Sequence, residues 1–325
     1  MTFSQFESKF PTEEAAIDYF YNIRYGGVLT CPHCGATDKV YRCHNRPKAC
    51  RCKNCDNMFS PFKDTIFENS TTDLRKWFQA IRLFLNARKG FSAKNLQREL
   101  GIAYETAWRM FHQVRLAMEN EEELKIFSKL VEIDETYVGG KPRKRSPKLY
   151  DPATYSEAKK LITGRGTPKI PVVGIRERES GCVYVQIMFL DDKGKKLTGK
   201  QLLAVIEKVC VEGTTVMTDD FSAYSILDEP DFLKLLDGLD PTPRFEHHTV
   251  CHSRRKWSAG PGIHTNGIES HWALFKRGFH GTYHSMSVKY MQRYINEFSF
   301  RQNTRKLPSL EVFDLLLKQC VLKSP

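Results

Sequence analysis

The sequence predicts an α/β fold, a mixed sheet with flanking helices, preceded by a small cysteine-rich module and a compact helical pair. Three observations predict it. Six of the ten cysteines crowd between Cys31 and Cys55, among Gly, Pro and Asn residues that sustain neither a helix nor a long strand. Residues 72–120 carry apolar side chains at spacings of three and four, the helical period. Residues 129–320 alternate strand-like and helix-like runs, with three strands before the first helix, which argues against an all-parallel sheet.

The chain of 325 residues has room for two or three domains. Hydrophobic residues at 41% and charged residues at 27% support packed cores and exclude a disordered tail or a collagen-like repeat. A net charge of +12 favours a polyanionic partner. No stretch approaches the length of about 18 uncharged apolar residues that a membrane helix needs, so no membrane partner is expected. The start, MTFSQFESKFPTEEAAIDYF, has neither the basic nor the apolar region of a secretory signal. The expected location is the cytoplasm, where clustered cysteines hold a metal more often than they form disulfides.

Taken in order, residues 1–28 read as a helical lead, with Ala16, Tyr19, Phe20 and Ile23 able to share a face. Cys31-Pro-His-Cys34-Gly and Cys52-Lys-Asn-Cys55 are two C-x-x-C knuckles. Four thiolates at this spacing can close a tetrahedral shell around Zn2+, and the metal then supplies folding free energy that so short a segment lacks. Cys43 and Cys50 are either replacement ligands or plain buried thiols, and the second reading is favoured. A redox role is the weaker alternative, because redox C-x-x-C motifs come singly at a helix start.

Phe91 to Ala103 and Tyr104 to Met110 read as two helices around Gly101. Ser92 can cap the first, and Gly101 sits where a helix-turn-helix needs a left-handed residue. Ile102, Ala107 and Met110 would pack on Leu96 and Leu100. The second helix would expose Tyr104, Glu105, Arg109, Gln113 and Arg115, and in a DNA-binding motif its early residues meet base edges. An ordinary helical hairpin is the alternative.

LVEIDETYVGG reads as a strand, IPVVGIRERESGCVYVQIMFL as two strands joined at Glu179-Ser180-Gly181, GKQLLAVIEKVC as an amphipathic helix and TTVMTDD as a short strand. Between them, residues 141–170 hold nine Lys and Arg against Asp151 and Glu157. This is either a solvated loop or a contact to a phosphate backbone. Asp134 and Asp219 each follow apolar strand residues, where a carboxylate is costly unless it is paired or binds metal. Two strand-borne acids side by side can chelate a hard cation. Asp220 competes with Asp219 for that role. Glu269, just inside the helix of HTNGIESHWALFKRGF, is the best third acid, and Lys276 lies two turns on along the same face. Carboxylates that hold divalent ions and a lysine that meets phosphate suit work on a phosphodiester.

Read together, CPHCG, CRCKNCDNMFSPFKDTIFENSTTDLRKWFQAI, GFSAKNLQRELGIAYETAWRMFHQVRLAM, VEIDETYVGG, VMTDDFSAY and the block from HTNGIESHW to RQNTR resemble the DDE-type transposases of bacterial insertion sequences. The resemblance is closest to the subfamily with a zinc ribbon and a helix-turn-helix before a ribonuclease H-like catalytic domain. It covers about residues 10 to 306. It implies a zinc ribbon within residues 1–70, a helix-turn-helix within 71–122, a catalytic domain over 123–310 carrying the basic insertion 141–170, and a C-terminal helix or tail at 311–325.

It further implies Asp134, Asp219 and Glu269 as catalytic ligands of Mg2+ or Mn2+. Some relatives carry Asn at the third position, which makes Asn266 a rival or helper. Zn2+ would sit on Cys31, Cys34, Cys52 and Cys55. DNA would meet Tyr104, Arg109, Lys276 and Arg277, with His264 and Thr265 near the scissile phosphate and Trp272 packed inward or stacked on a base. The implied partners are double-stranded DNA, as terminal inverted repeats and target, and further copies of the chain. The implied place of action is the nucleoid. The alternatives are a non-catalytic DNA-binding regulator and a structure-specific nuclease on the same fold.

Overall fold

Short polar side chains set the first helix starts. In the computed structural model, Thr2 opens α1 (Phe3–Lys9) and Thr12 opens α2 (Glu13–Tyr25), each hydroxyl accepting a first-turn amide at 3.2 Å. The structure describes residues 1–43, 46–119, 127–139, 169–189, 197–231, 241–250 and 262–322. The basic stretch 141–170 therefore lies outside the described residues, apart from Lys169 and Ile170.

Residues Met1–Asn120 and Thr304–Pro325 cluster as one unit, and Glu121–Asn303 as another. In the first unit, β1 (Val40–Cys43), β2 (Arg46–Cys52) and β3 (Met58–Phe59) form an antiparallel sheet in that order. Three helices follow: α3 (Leu74–Asn86), α4 (Ala93–Leu100) and α5 (Tyr104–Ala117). Asp73 makes no side-chain cap for α3; the Glu13 carboxylate does so instead, accepting the Leu74 and Arg75 amides at 2.7 Å.

Three features differ from the expected 71–122 and 311–325 divisions. The helical pair shares its unit with the ribbon, the second boundary falls at Asn303/Thr304 rather than at 310, and the C-terminal helix Ser309–Leu322 is part of the core of this first unit. The cause is aromatic burial. Phe313 meets Phe10 at 5.9 Å and Phe78 at 6.2 Å between ring centroids, and Asp314 accepts hydrogen bonds from Tyr19 Oη at 2.7 Å and Lys9 Nζ at 3.0 Å.

The second unit is built on a five-stranded sheet: β4 (Leu130–Val138), β5 (Ile170–Glu177), β6 (Val183–Ile187), β7 (Thr215–Asp219) and β8 (Glu246–Val250). The strand order is β6-β5-β4-β7-β8. The first three pair antiparallel, while β7 and β8 run parallel to β4. This is the mixed sheet that the three leading strands predict, and the turn at Glu179 to Gly181 joins β5 to β6 as expected. Its helices are α6 (Gly199–Val209), α7 (Asn266–Gly278) and α8 (Val288–Asn303).

Strand alternation divides the two faces. Val131 and Ile133 of β4 pack with Leu202, Val205 and Ile206 of α6. Val138 of β4 and Val172 of β5 pack with Ile268, Trp272 and Phe275 of α7 and with Ile295 and Phe298 of α8. Gly174, paired with Asp134 across β4 and β5, lets α7 lie directly on the strand; a Cβ there would fall 2.6 Å from Trp272 and 2.8 Å from Ile268. This is the mixed sheet with flanking helices of a ribonuclease H-like domain.

Candidate active site and metal centres

The parallel pairing of β4 with β7 sets Glu132 beside Met217. Two residues further on, the same register brings Asp134 beside Asp219, on one face of the sheet. Glu135 points to the other face by alternation, yet all three reach past the pairing of β4 with β7. Ligand oxygens of Asp134, Glu135 and Asp219 lie within 4.8 Å of one another. Hard oxygen donors at this separation fit a hard divalent cation.

Neighbouring bonds fix the carboxylates. Asp219 Oδ1 accepts the Phe221 amide at 3.1 Å, and Glu135 Oε2 accepts the hydroxyl of buried Tyr224 at 3.2 Å. Burial, then the charges of Glu135, Asp219 and Glu269, push the Asp134 carboxyl up from 3.8 to about 7. That shift is what crowding like charges in a desolvated site produces, and it places Glu269 within electrostatic reach of Asp134. Glu269 stands in the first turn of α7, where the helix N-terminus favours an acid, and Thr265 Oγ1 donates to its Oε1 at 3.2 Å.

Other expected residues divide. Asp220 and Asn266, the first residue of α7, are exposed; the oxygens within 4.8 Å are those of Asp134, Glu135 and Asp219, and Glu269 and Asp220 both stand outside that group. Lys276 and Arg277 are exposed two turns along α7. Trp272 is buried against the sheet, which answers the choice between packing and base stacking. His264 lies 3.5 Å from Glu132 through Nδ1, and Thr265 is buried. The sequence reading passed over Glu135 as a ligand. It also passed over Glu132, Arg176 and Arg178, an ion cluster under the start of α7 that no spacing rule singles out.

In the first unit, Cys31 Sγ lies 3.7 Å from Cys55 Sγ and Cys34 Sγ lies 3.6 Å from Cys52 Sγ. All four sulfurs fall within 4.8 Å of one another. A tetrahedral ion with Zn–S of about 2.3 Å puts its sulfurs about 3.8 Å apart, so the four cysteines fit Zn2+. The Asn57 amide pulls the Cys55 thiol down to about 7, ahead of the opposing effect of burial. Cys43 and Cys50 lie outside the group, and Cys50 Sγ meets Tyr21 Oη at 3.0 Å, the plain buried-thiol reading.

The helical pair follows its sequence closely. Ser92 Oγ accepts the Asn95 amide at 3.1 Å, and Gly101 closes α4 at a φ of 61°. Tyr104 and Trp108 are 43% and 36% exposed on α5. Arg109 is half-buried and donates from Nη2 to the Glu68 carbonyl at 3.0 Å. Arg115, expected on the surface, is 2% exposed; its guanidinium lies over Phe84 and Phe111 at 5.2 and 5.7 Å, and cation–π contact offsets part of its desolvation.

Comparison with known proteins agrees with this geometry. Residues 126–303 match the ISXO2-like transposase domain, and residues 11–57 match a transposase zinc-ribbon domain. A protein from Halobacterium salinarum, described as an uncharacterized protein in transposable element ISH50, is 28% identical over 316 residues, covering 95% of this chain and 97% of that one. With more than half of its length in that transposase domain and a zinc ribbon ahead of it, the chain belongs to the ISXO2-like transposases of insertion sequences.

Proposed function

We propose that the protein binds the terminal inverted repeats of its own element, hydrolyses a phosphodiester at each end and joins the freed 3′-hydroxyl to target DNA. The observation that carries this reading is the meeting of Asp134, Glu135 and Asp219 oxygens within 4.8 Å at one end of the sheet. A transposase-domain match over residues 126–303 supports it.

In this reading Asp134 and Asp219 hold Mg2+ or Mn2+, with Glu269 completing the shell from α7 and Glu135 adjoining it. The divalent ions supply nucleophile activation and stabilise the charge on the leaving oxygen. The rest falls to the chain itself. Lys276 and Arg277, exposed on the helix that carries Glu269, meet phosphates and orient the strand across the carboxylates. Tyr104 at the start of α5 approaches base edges. Arg109, held by the Glu68 carbonyl, serves DNA through the orientation of α5 or after releasing that bond. Cutting two ends in one event calls for at least two copies of the chain. Among the described residues no helix is long and apolar enough to cross a membrane, and the proposed place of action is the nucleoid.

The decisive experiment incubates the full chain with cloned element ends, target plasmid and Mg2+. Joined products are expected. Cleavage without joining favours a structure-specific nuclease, and binding without cleavage favours a regulator. An Asp134→Ala variant that cuts as well as the parent removes Asp134 from the site.

A further inference from the structure

The first turn of α7 is not capped by its own N-cap residue. Thr265 stands at that position but makes no side-chain bond to the free amides of the turn; its hydroxyl donates to Glu269 Oε1. The cap comes from the sheet. Glu132 Oε2 accepts the Ile268 amide at 2.9 Å, the bond an N-cap side chain ordinarily accepts.

Glu132 is 0% exposed, and a buried carboxylate persists only when it is paired. Arg178 Nε donates to Oε1 at 2.9 Å, and Arg176 Nη1 lies 4.0 Å from Oε2. Arg178 also donates to the His264 carbonyl at 2.8 Å and to the Gly262 carbonyl, tying the approach to α7 to the same carboxylate. Gly267 makes the approach possible: a Cβ there would fall 2.6 Å from Glu132 Oε2 and 1.8 Å from Arg176 Nη1.

We propose that Glu132 is a positioning residue for the catalytic carboxylates: by capping α7 from β4, it fixes the first turn of the helix, and Glu269 with it, against the strand that carries Asp134. The proposal rests on the reading of Glu269 as a ligand. Glu132 and Asp134 share one face of one strand, two residues apart, so clamp and ligand move as one piece. The Thr265 hydroxyl donates to Glu269, and the Glu132 cap holds the turn that carries both residues.

The test is Mn2+ binding by the full chain, followed by calorimetry or electron paramagnetic resonance, for the parent, Glu132→Gln, Glu269→Gln and the double variant. Outer groups that orient ligands typically contribute about 10–100-fold in metal affinity. Glu132→Gln is expected to weaken Mn2+ binding about tenfold in the parent and less than about twofold when Glu269 is already Gln. A merely structural role weakens binding by the same factor in both backgrounds, and that result overturns the proposal. So does unchanged Mn2+ affinity in Glu132→Gln while Glu269→Gln binds weakly. Unchanged affinity in Glu269→Gln removes Glu269 as a ligand, and the proposal falls with it. Should Glu132→Gln fail to fold, Gly267→Ala tests the same contact with the charges kept. Its added methyl drives both the Arg176 guanidinium and the Glu132 carboxylate from their places at the start of α7, and the same background-dependent loss is expected.

Discussion

Asp134→Asn isolates the cost of gathering carboxylates. The Asp134 carboxyl sits at about 7 against an ordinary 3.8, chiefly through burial and then through Glu135, Asp219 and Glu269. At about 1.4 kcal/mol per pKa unit, ionising it in the folded protein costs about 4 kcal/mol more than in the unfolded chain. Because the folded-state value is the raised one, the folded state holds the extra proton. The associated stability is fully present below the unfolded value of 3.8 and is lost as pH rises through about 7. At about pH 8 the metal-free protein therefore bears the whole cost, and Asp134→Asn removes it. Even half, about 2 kcal/mol, raises the Tm of a unit this size by about 4–8 °C. Below about 3.8 the two proteins converge, since Asp134 then holds its proton in the folded and the unfolded chain alike. Saturating Mn2+ offsets most of the difference: an ion at about 100 times its Kd adds about 2.7 kcal/mol to the parent and much less to the variant. Thermal unfolding in chelator and in Mn2+, at both pH values, reads all four conditions. A variant less stable than the parent in chelator at about pH 8, or equal Mn2+ stabilisation of both, refutes the reasoning.

The zinc shell is expected to hold one ion per chain by metal analysis, and Cys34→Ser to lose it together with amide-exchange protection across β1 to β3. Lys276→Ala should weaken end binding for every sequence and lower the salt slope by about 1, measured by titration at several ionic strengths. Tyr104→Ala should instead weaken binding to the element end more than to unrelated DNA. Gly174→Ala should cost about 1–3 kcal/mol in denaturant unfolding, because its methyl collides with Trp272 and Ile268; an unchanged midpoint means that α7 does not lie as close to β5 as the geometry requires.

The readable parts of the molecule are those whose signal is local. Four cysteines in two knuckles announce a tetrahedral shell whatever folds around them. Asp134 and Asp219 stand out because each follows apolar strand residues, where a carboxylate is costly. Ser92 and Gly101 mark their helix ends through bonds and dihedrals made within a few residues. The parts that escaped depend on distant partners. Glu135 alternates to the opposite face from Asp134, and only the strand end and Tyr224 bring its carboxylate back toward the group. Arg115 looks like a surface cation until Phe84, from another helix, lies under it. The strand Glu246–Val250 is mostly polar and has no alternating apolar pattern to reveal it; β7 supplies its hydrogen bonds. The C-terminal helix reads as a tail because its partners, Phe10 and Phe78, come from the other end of the chain.

The proposed choice of Asp219 over Asp220 as a ligand rests on the strand. A strand turns successive side chains to opposite faces, so only one of two adjacent acids can share a face with Asp134. The register of β4 with β7 selects Asp219, and its half-buried carboxylate is already held by the Phe221 amide, whereas Asp220 is exposed. The proposed further ligand comes from a helix. Glu135, the strand acid next to Asp134, already adds the largest charge repulsion to its raised pKa. The first turn of α7 instead offers Glu269 the positive end of a helix dipole, and Gly174 lets that turn approach the strand without a methyl between them. In the proposed site, Asp134, Glu135 and Asp219 on neighbouring strands, joined by Glu269 from the helix end, repel one another, and a cation offsets that repulsion. The sheet, the Glu132 cap and the small residues Gly174 and Gly267 are what hold that strained arrangement in place.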